Sequence, residues 1–296
     1  MPTRPTLALH IGTIHDGADG LTPALRDNGA LLTPLGSAVP RKRFYSARLE
    51  EVAFTQVEKP ATLGELAPLW KGTKDGARPL HRFMSMPDTI GDEADLSQSQ
   101  AFFPGAAAGP TALRRYFEGE IDTTFLLGLV NPATLISRAC AGAEDEALSA
   151  GLSTIPPDSL SWLDVVTAIR VANPETPIVI WTREQLPFVW PQLMHVAAGL
   201  DTMVMTERTT DGLIGLLPDE AMTSLKEFVA REDLVEPSSL ARVFKIYMEH
   251  FADPETLNEV IEVPGWDAET VRGITERYHE DVEAIATLDG VTVLTA

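Results

Sequence analysis

The sequence predicts an α/β protein in which a central parallel sheet is flanked by helices and followed by a helical, acidic carboxyl-terminal portion. Three observations carry this. Apolar runs at residues 7–11, 123–130 and 178–181 are short and continuous with no helical stripe, as in strands buried on both faces. Stretches of helical periodicity separate them, which suits the crossovers that parallel strands require. A glycine-rich turn, Gly12 to Gly20, follows the first run and leads into a helix near Leu21.

Composition bounds the rest. With 296 residues, 44% of them hydrophobic, the chain can bury one large core. We divide it into an α/β domain over residues 1–217 and a helical portion over 218–296 packed on the same domain. The single Cys140 excludes an internal disulfide and a cysteine metal cluster, and no metal site is expected. The formal charge is −20, and residues 201–296 hold 21 acidic against 7 basic side chains. Such a field disfavours nucleic acid and anionic membrane surfaces as partners. The amino terminus, MPTRPTLALHIG, lacks the apolar core of a signal peptide, and no run reaches the ~18 apolar residues of a membrane span. These features predict a soluble cytoplasmic protein. The one dense basic run, Arg41-Lys42-Arg43, reads as a solvated helix entry.

In chain order, residues 43–54 form a helix with Phe44, Leu49, Val52 and Ala53 turned inward. A weaker helix covers 62–71, and residues 78–85 form a strand ending at Ser85. On that strand His81 is either an acid–base group or a satisfied core histidine. Residues 88–100 are polar and acidic and read as a surface loop. A helix over 110–117 precedes the strand at 123–130, which stops at Asn131-Pro132. A helix over 133–141 follows, then a loop at 151–158. The next helix, 161–171, is capped by Asp158 or Ser159. After the strand at 178–181, Thr182-Arg183-Glu184 lead into a helix with Pro187 in its first turn. Helices at 218–230, 238–251 and 267–288 complete the pattern, ahead of a short apolar tail at 291–294.

Strand, glycine loop and helix in that order cradle phosphate groups, because backbone N–H groups converge at a helix amino end. The usual lysine at the loop's end is missing, and Asp16 and Asp19 stand in the loop. Each carboxylate would repel an anionic ligand by about 1 kcal/mol or more at an effective dielectric of about 20.

The segment His10-Ile11-Gly12-Thr13, with Gly17 and Leu21 following, resembles the amino-terminal loop of the PAPS-dependent (3′-phosphoadenosine 5′-phosphosulfate) sulfotransferases. The likeness is to the bacterial sulfotransferase-like branch, whose loops read roughly HIGxxKTGTTxLQ. The resemblance implies a P-loop fold with Gly12, Thr13, Ile14, His15 and Gly17 around the donor. His15 stands at the lysine position as the candidate catalytic group, and Asp16, Ala18 and Asp19 replace the family's threonines. The family's strand ending Ser-x-Glu-Asn is here Ser85-Met86-Pro87-Asp88, without the glutamate. Its Arg-Asp/Asn-Pro is here Val130-Asn131-Pro132, without the arginine that holds the 3′-phosphate, and the nearest serine, Ser137, falls one residue short. The segment Val263-Pro264-Gly265-Trp266 and the acidic helix after it also resemble that branch. Arg183 is the one cation near the expected crevice and either faces a ligand or pairs with Glu184.

Two readings follow. The chain is a divergent member that has lost sulfuryl transfer and uses the crevice, or its acidic helical surface, to bind an unidentified small molecule or protein, with no certain cofactor. Alternatively it is an active sulfotransferase using PAPS on a hydroxyl or amine acceptor, with His15 in place of the lysine.

Overall fold

The computed structural model describes residues 4–296 apart from 56, 71–79, 144–145, 201–204, 206 and 258–259. Six parallel strands form one sheet: β1 (Thr6–His10), β2 (Ser37–Ala38), β3 (His81–Ser85), β4 (Asp122–Leu129), β5 (Ile178–Thr182) and β6 (Val291–Val293). Their order is β2-β3-β1-β4-β5-β6, and every neighbouring pair is parallel. The chain leaves β1 toward one edge and leaves β4 toward the other. The carboxyl ends of β1 and β4 therefore flank the switch point where open parallel sheets hold their ligands.

The apolar runs form strands because each of their faces has a partner. Leu7, Leu9, Phe125, Leu127, Ile178 and Ile180 face one core layer. The intervening Ala8, Leu126 and Trp181 face the other, with Phe83 of β3. The first layer is covered by α2 (Ser46–Ala53), α4 (Ala108–Phe117), α5 (Pro132–Gly142), α7 (Trp162–Ala172) and α11 (Ala268–Ile285). The second is covered by α1 (Leu21–Asp27) and α8 (Leu186–Ala198). Helices α9 (Asp219–Arg231) and α10 (Pro237–Phe251) close a smaller cluster around Leu225, Leu240 and Phe244. Among the described residues no helix is long and apolar enough to cross a membrane.

Several local expectations are corrected. The polar stretch 88–100 contains α3 (Glu93–Ser99), started by a capping box: Asp92 accepts from the Asp95 N–H at 2.9 Å and Asp95 accepts from the Asp92 N–H at 3.2 Å. Its one buried side chain, Leu96, leaves too narrow an apolar stripe for periodicity to register. Likewise α6 (Glu146–Ser153) takes part of the stretch read as a loop over 151–158. The cap of α7 is Ser161, whose hydroxyl accepts from the Asp164 N–H at 3.2 Å, and not Asp158 or Ser159. The weaker helix expected over 62–71 is helical but broken into a short α-helix, Leu63–Leu66, and a 3-10 helix, Ala67–Trp70, with residue 71 outside the described residues. The strand expected over 78–85 begins at His81, and 78–79 are likewise not described. The apolar tail is β6, hydrogen-bonded beside β5. The basic run lies exposed at a short 3-10 turn, Lys42–Phe44.

Trp162, at the start of α7, anchors that helix to the end of β4. Its ring is fully buried against Phe102 and Phe103, with centroids 5.0 and 5.7 Å away, and its indole N–H donates to the Val130 carbonyl at 2.7 Å. Trp162→Ala is expected to cost about 3–5 kcal/mol in urea unfolding. A loss below about 1 kcal/mol would contradict this packing.

Candidate functional site

The residues after β1 wrap back over the sheet instead of opening outward. The Asp16 N–H meets the Thr13 carbonyl at 3.4 Å, and the His15 N–H donates to Thr13 Oγ at 3.3 Å. Asp16 then turns inward and is 1% exposed. One of its carboxylate oxygens lies 2.6 Å from His10 Nε2, while the other accepts the Ala18 N–H at 2.9 Å. A buried carboxylate needs such partners, because burying an unpaired charge is costly. Glycine is needed beneath it. A β-carbon at Gly12 would collide with the Asp16 carboxylate, and one at Gly128 would collide with Asp16 and the Trp181 ring. Gly17 turns the chain at φ 86°, a left-handed conformation natural to glycine. Asp19, by contrast, points to solvent.

The surrounding loops arrive through backbone contacts. The Met86 N–H donates to the His10 carbonyl and the Asp88 N–H to the Gly12 carbonyl, both at 2.8 Å. The Asp88 carboxyl receives the Ile14 N–H. His15 Nε2 lies 2.7 Å from Glu93 Oε1, tying the glycine loop to α3. Arg183 reaches back from the end of β5 and donates to the His15 carbonyl at 3.1 Å. The structure thus brings Gly12, Thr13, Ile14, His15, Gly17 and Arg183 together at the switch point. Ser137 is not among them: it is buried on α5, accepting the Glu262 N–H at 2.9 Å. Asn131 also turns away, capping α5 at the Ala133 N–H and donating to Thr275. Glu184 accepts from the Tyr278 hydroxyl at 2.9 Å, and burial pushes that phenol well above its usual pKa.

His10, in the matched loop run, and Ser85 to Asp88, at the end of β3, lie at the site as the strand ends implied, whereas Glu93 on α3 carried no sequence signal. Their partners lie on different strands and helices. Asp16 was visible as an unwelcome charge, and only the fold of the loop reveals that His10 receives it.

Three carboxylates face the crevice entrance, from Asp88, Asp92 and Glu93, beside Thr13, His15 and Phe103. The space between them holds no more than about one water molecule. A roomier groove of about 570 Å³, along Phe54, Val57, Ala108 and Arg115, shares no residue with it. Among the described residues no group of His, Cys, Asp or Glu could hold a metal ion. No family model and no curated protein matches this sequence.

Burial raises the Asp88 carboxyl to about 6, against 3.8 ordinarily, and the neighbouring Asp92 and Glu93 charges push the same way. Between those values the folded chain holds a proton that the unfolded chain has released. This favourable contribution is therefore complete below pH 3.8 and lost as pH rises through about 6. Asp88→Asn keeps an acceptor for the Ile14 N–H and tolerates the residue's φ of 64°. It should raise the melting temperature at pH 8 by a few degrees, and thermal scans should show that gain vanishing near pH 4. A gain independent of pH would refute the assignment.

Proposed function

We propose that the chain is a divergent sulfotransferase-like protein that has lost PAPS-dependent sulfuryl transfer and acts by binding. The observation that carries this is the Asp16 carboxylate, folded into the centre of the loop where a phosphate cradle would hold its anion. Four of the loop's N–H groups are engaged: Ala18 by Asp16, Ile14 by Asp88, and His15 and Asp16 by Thr13. An incoming phosphosulfate would have to displace its own competitor and then sit among carboxylates.

The residues present do not fit the donor at its other end either. Val130 stands where the resemblance calls for an arginine, and it is fully buried. Ser137 is committed to the Glu262 segment. For His15 to replace the family's lysine, its imidazole would have to leave Glu93, which lies 2.7 Å away. Arg183 supplies one guanidinium at the crevice, already donating to the His15 carbonyl.

Titration calorimetry with adenosine 3′,5′-bisphosphate at low and moderate salt tests the reading. The expected outcome is no heat and no thermal shift at millimolar ligand. Micromolar binding would overturn it and restore the active enzyme, with PAPS as cofactor and His15 at the bridging oxygen.

A further inference from the structure

We infer that Ser85, His10 and Asp16 form a nucleophilic relay able to hydrolyse a carboxylic ester at the carboxyl edge of the sheet. This goes beyond the loss of sulfuryl transfer and needs no donor nucleotide. Ser85 and His10 are register partners at the ends of β3 and β1, so their side chains leave the sheet on one face. The serine hydroxyl lies 2.9 Å from His10 Nδ1, and His10 Nε2 lies 2.6 Å from Asp16. An ionised carboxylate only accepts, so the hydrogen-bond network assigns the imidazole proton to Nε2. That leaves the Nδ1 lone pair facing the serine O–H. The nitrogens are used in the opposite sense to the familiar serine triad, but both ring nitrogens can accept a proton, and what the chemistry requires is the base between hydroxyl and carboxylate.

Burial is graded as a relay needs. Asp16 and His10 are 1% and 4% exposed, whereas Ser85 is half-buried and is the member solvent reaches. Trp181 holds the pair in place, its ring 5.7 Å from the imidazole and its N–H donating to the Asp16 carbonyl at 3.3 Å. A second histidine makes an internal control. His81 Nδ1 lies 2.7 Å from the Thr6 hydroxyl, but its Nε2 faces the Ala197 carbonyl, and the pair sits at the amino edge of the sheet. Burial lowers the pKa of His81, and its Nε2 faces a carbonyl where that of His10 faces a carboxylate.

The step balances with water as co-substrate. Ser85 Oγ attacks the ester carbonyl carbon while its proton passes to His10 Nδ1. The bond to the alcohol oxygen breaks, and the alcohol leaves with that proton. Water then attacks the acyl-serine, gives a proton to His10, and releases the carboxylic acid as Ser85 regains its hydrogen. Asp16 keeps its charge throughout and stabilises the transient imidazolium.

The test is to expose the full chain to a fluorophosphonate, which labels activated serines, and to locate adducts by peptide mass spectrometry. The expected result is one adduct, on Ser85, lost in Ser85→Ala. It should form at least tenfold more slowly in Asp16→Asn, which keeps an acceptor for the Ala18 N–H but removes the charge. Unfolded wild-type chain in concentrated urea should not label, a comparison that does not depend on any variant folding. Absence of an adduct on Ser85, equal labelling in urea, or an undiminished rate in a folded Asp16→Asn would each overturn the relay.

Discussion

A carboxylate sealed inside a loop must have its charge answered from within the protein, and at Asp16 that requirement organises the centre of the molecule. His10 answers it from the end of β1, and Ser85 on β3 completes the line of hydrogen bonds behind His10. Gly128 on β4 makes room for the side chain, and Trp181 on β5 caps the Asp16 backbone. All four central strands thus contribute to housing one side chain. An unpaired charge at such depth would cost several kcal/mol.

Fold and chemistry are separable here because different forces maintain them. The sheet persists through apolar contact on both faces, which a change of one loop side chain does not disturb. The loop's ability to hold an anion depends on a few unclaimed N–H groups and a favourable local field. The Asp16 carboxylate sits among those groups and accepts the Ala18 N–H, while the strand, turn and helix around it keep their positions. The same carboxylate brings a hydroxyl and an imidazole into line behind it.

The buried strands were legible in sequence because double-faced burial leaves a continuous apolar run, and the long helices because they carry a wide stripe. The elements missed were those with little to bury: α3 with Leu96 alone, α6 with Leu152, and the three-residue β6. The candidate site was legible as a place, since the glycine loop and Arg183 do meet beyond the strand ends. Its chemistry was not. Whether Ser137 or Asn131 faces the crevice depends on which side of α5 each occupies, and α11, more than a hundred residues later, decides it by offering Thr275 to Asn131. The His10–Asp16 pairing spans six residues of irregular loop, where no period relates spacing to direction.

The two outermost strands have a consequence for how this protein meets others. β2 contributes two residues and β6 three, whereas β4 at the centre runs for eight. A parallel sheet offers unpaired N–H and C=O groups along both margins, a template on which a foreign strand can add. Margins this brief present too few of those groups for a stable addition, so long apolar strands lie behind guards too short to recruit. Association through strand addition is thereby disfavoured at both margins, and the surfaces left for recognition are helical and loop-built.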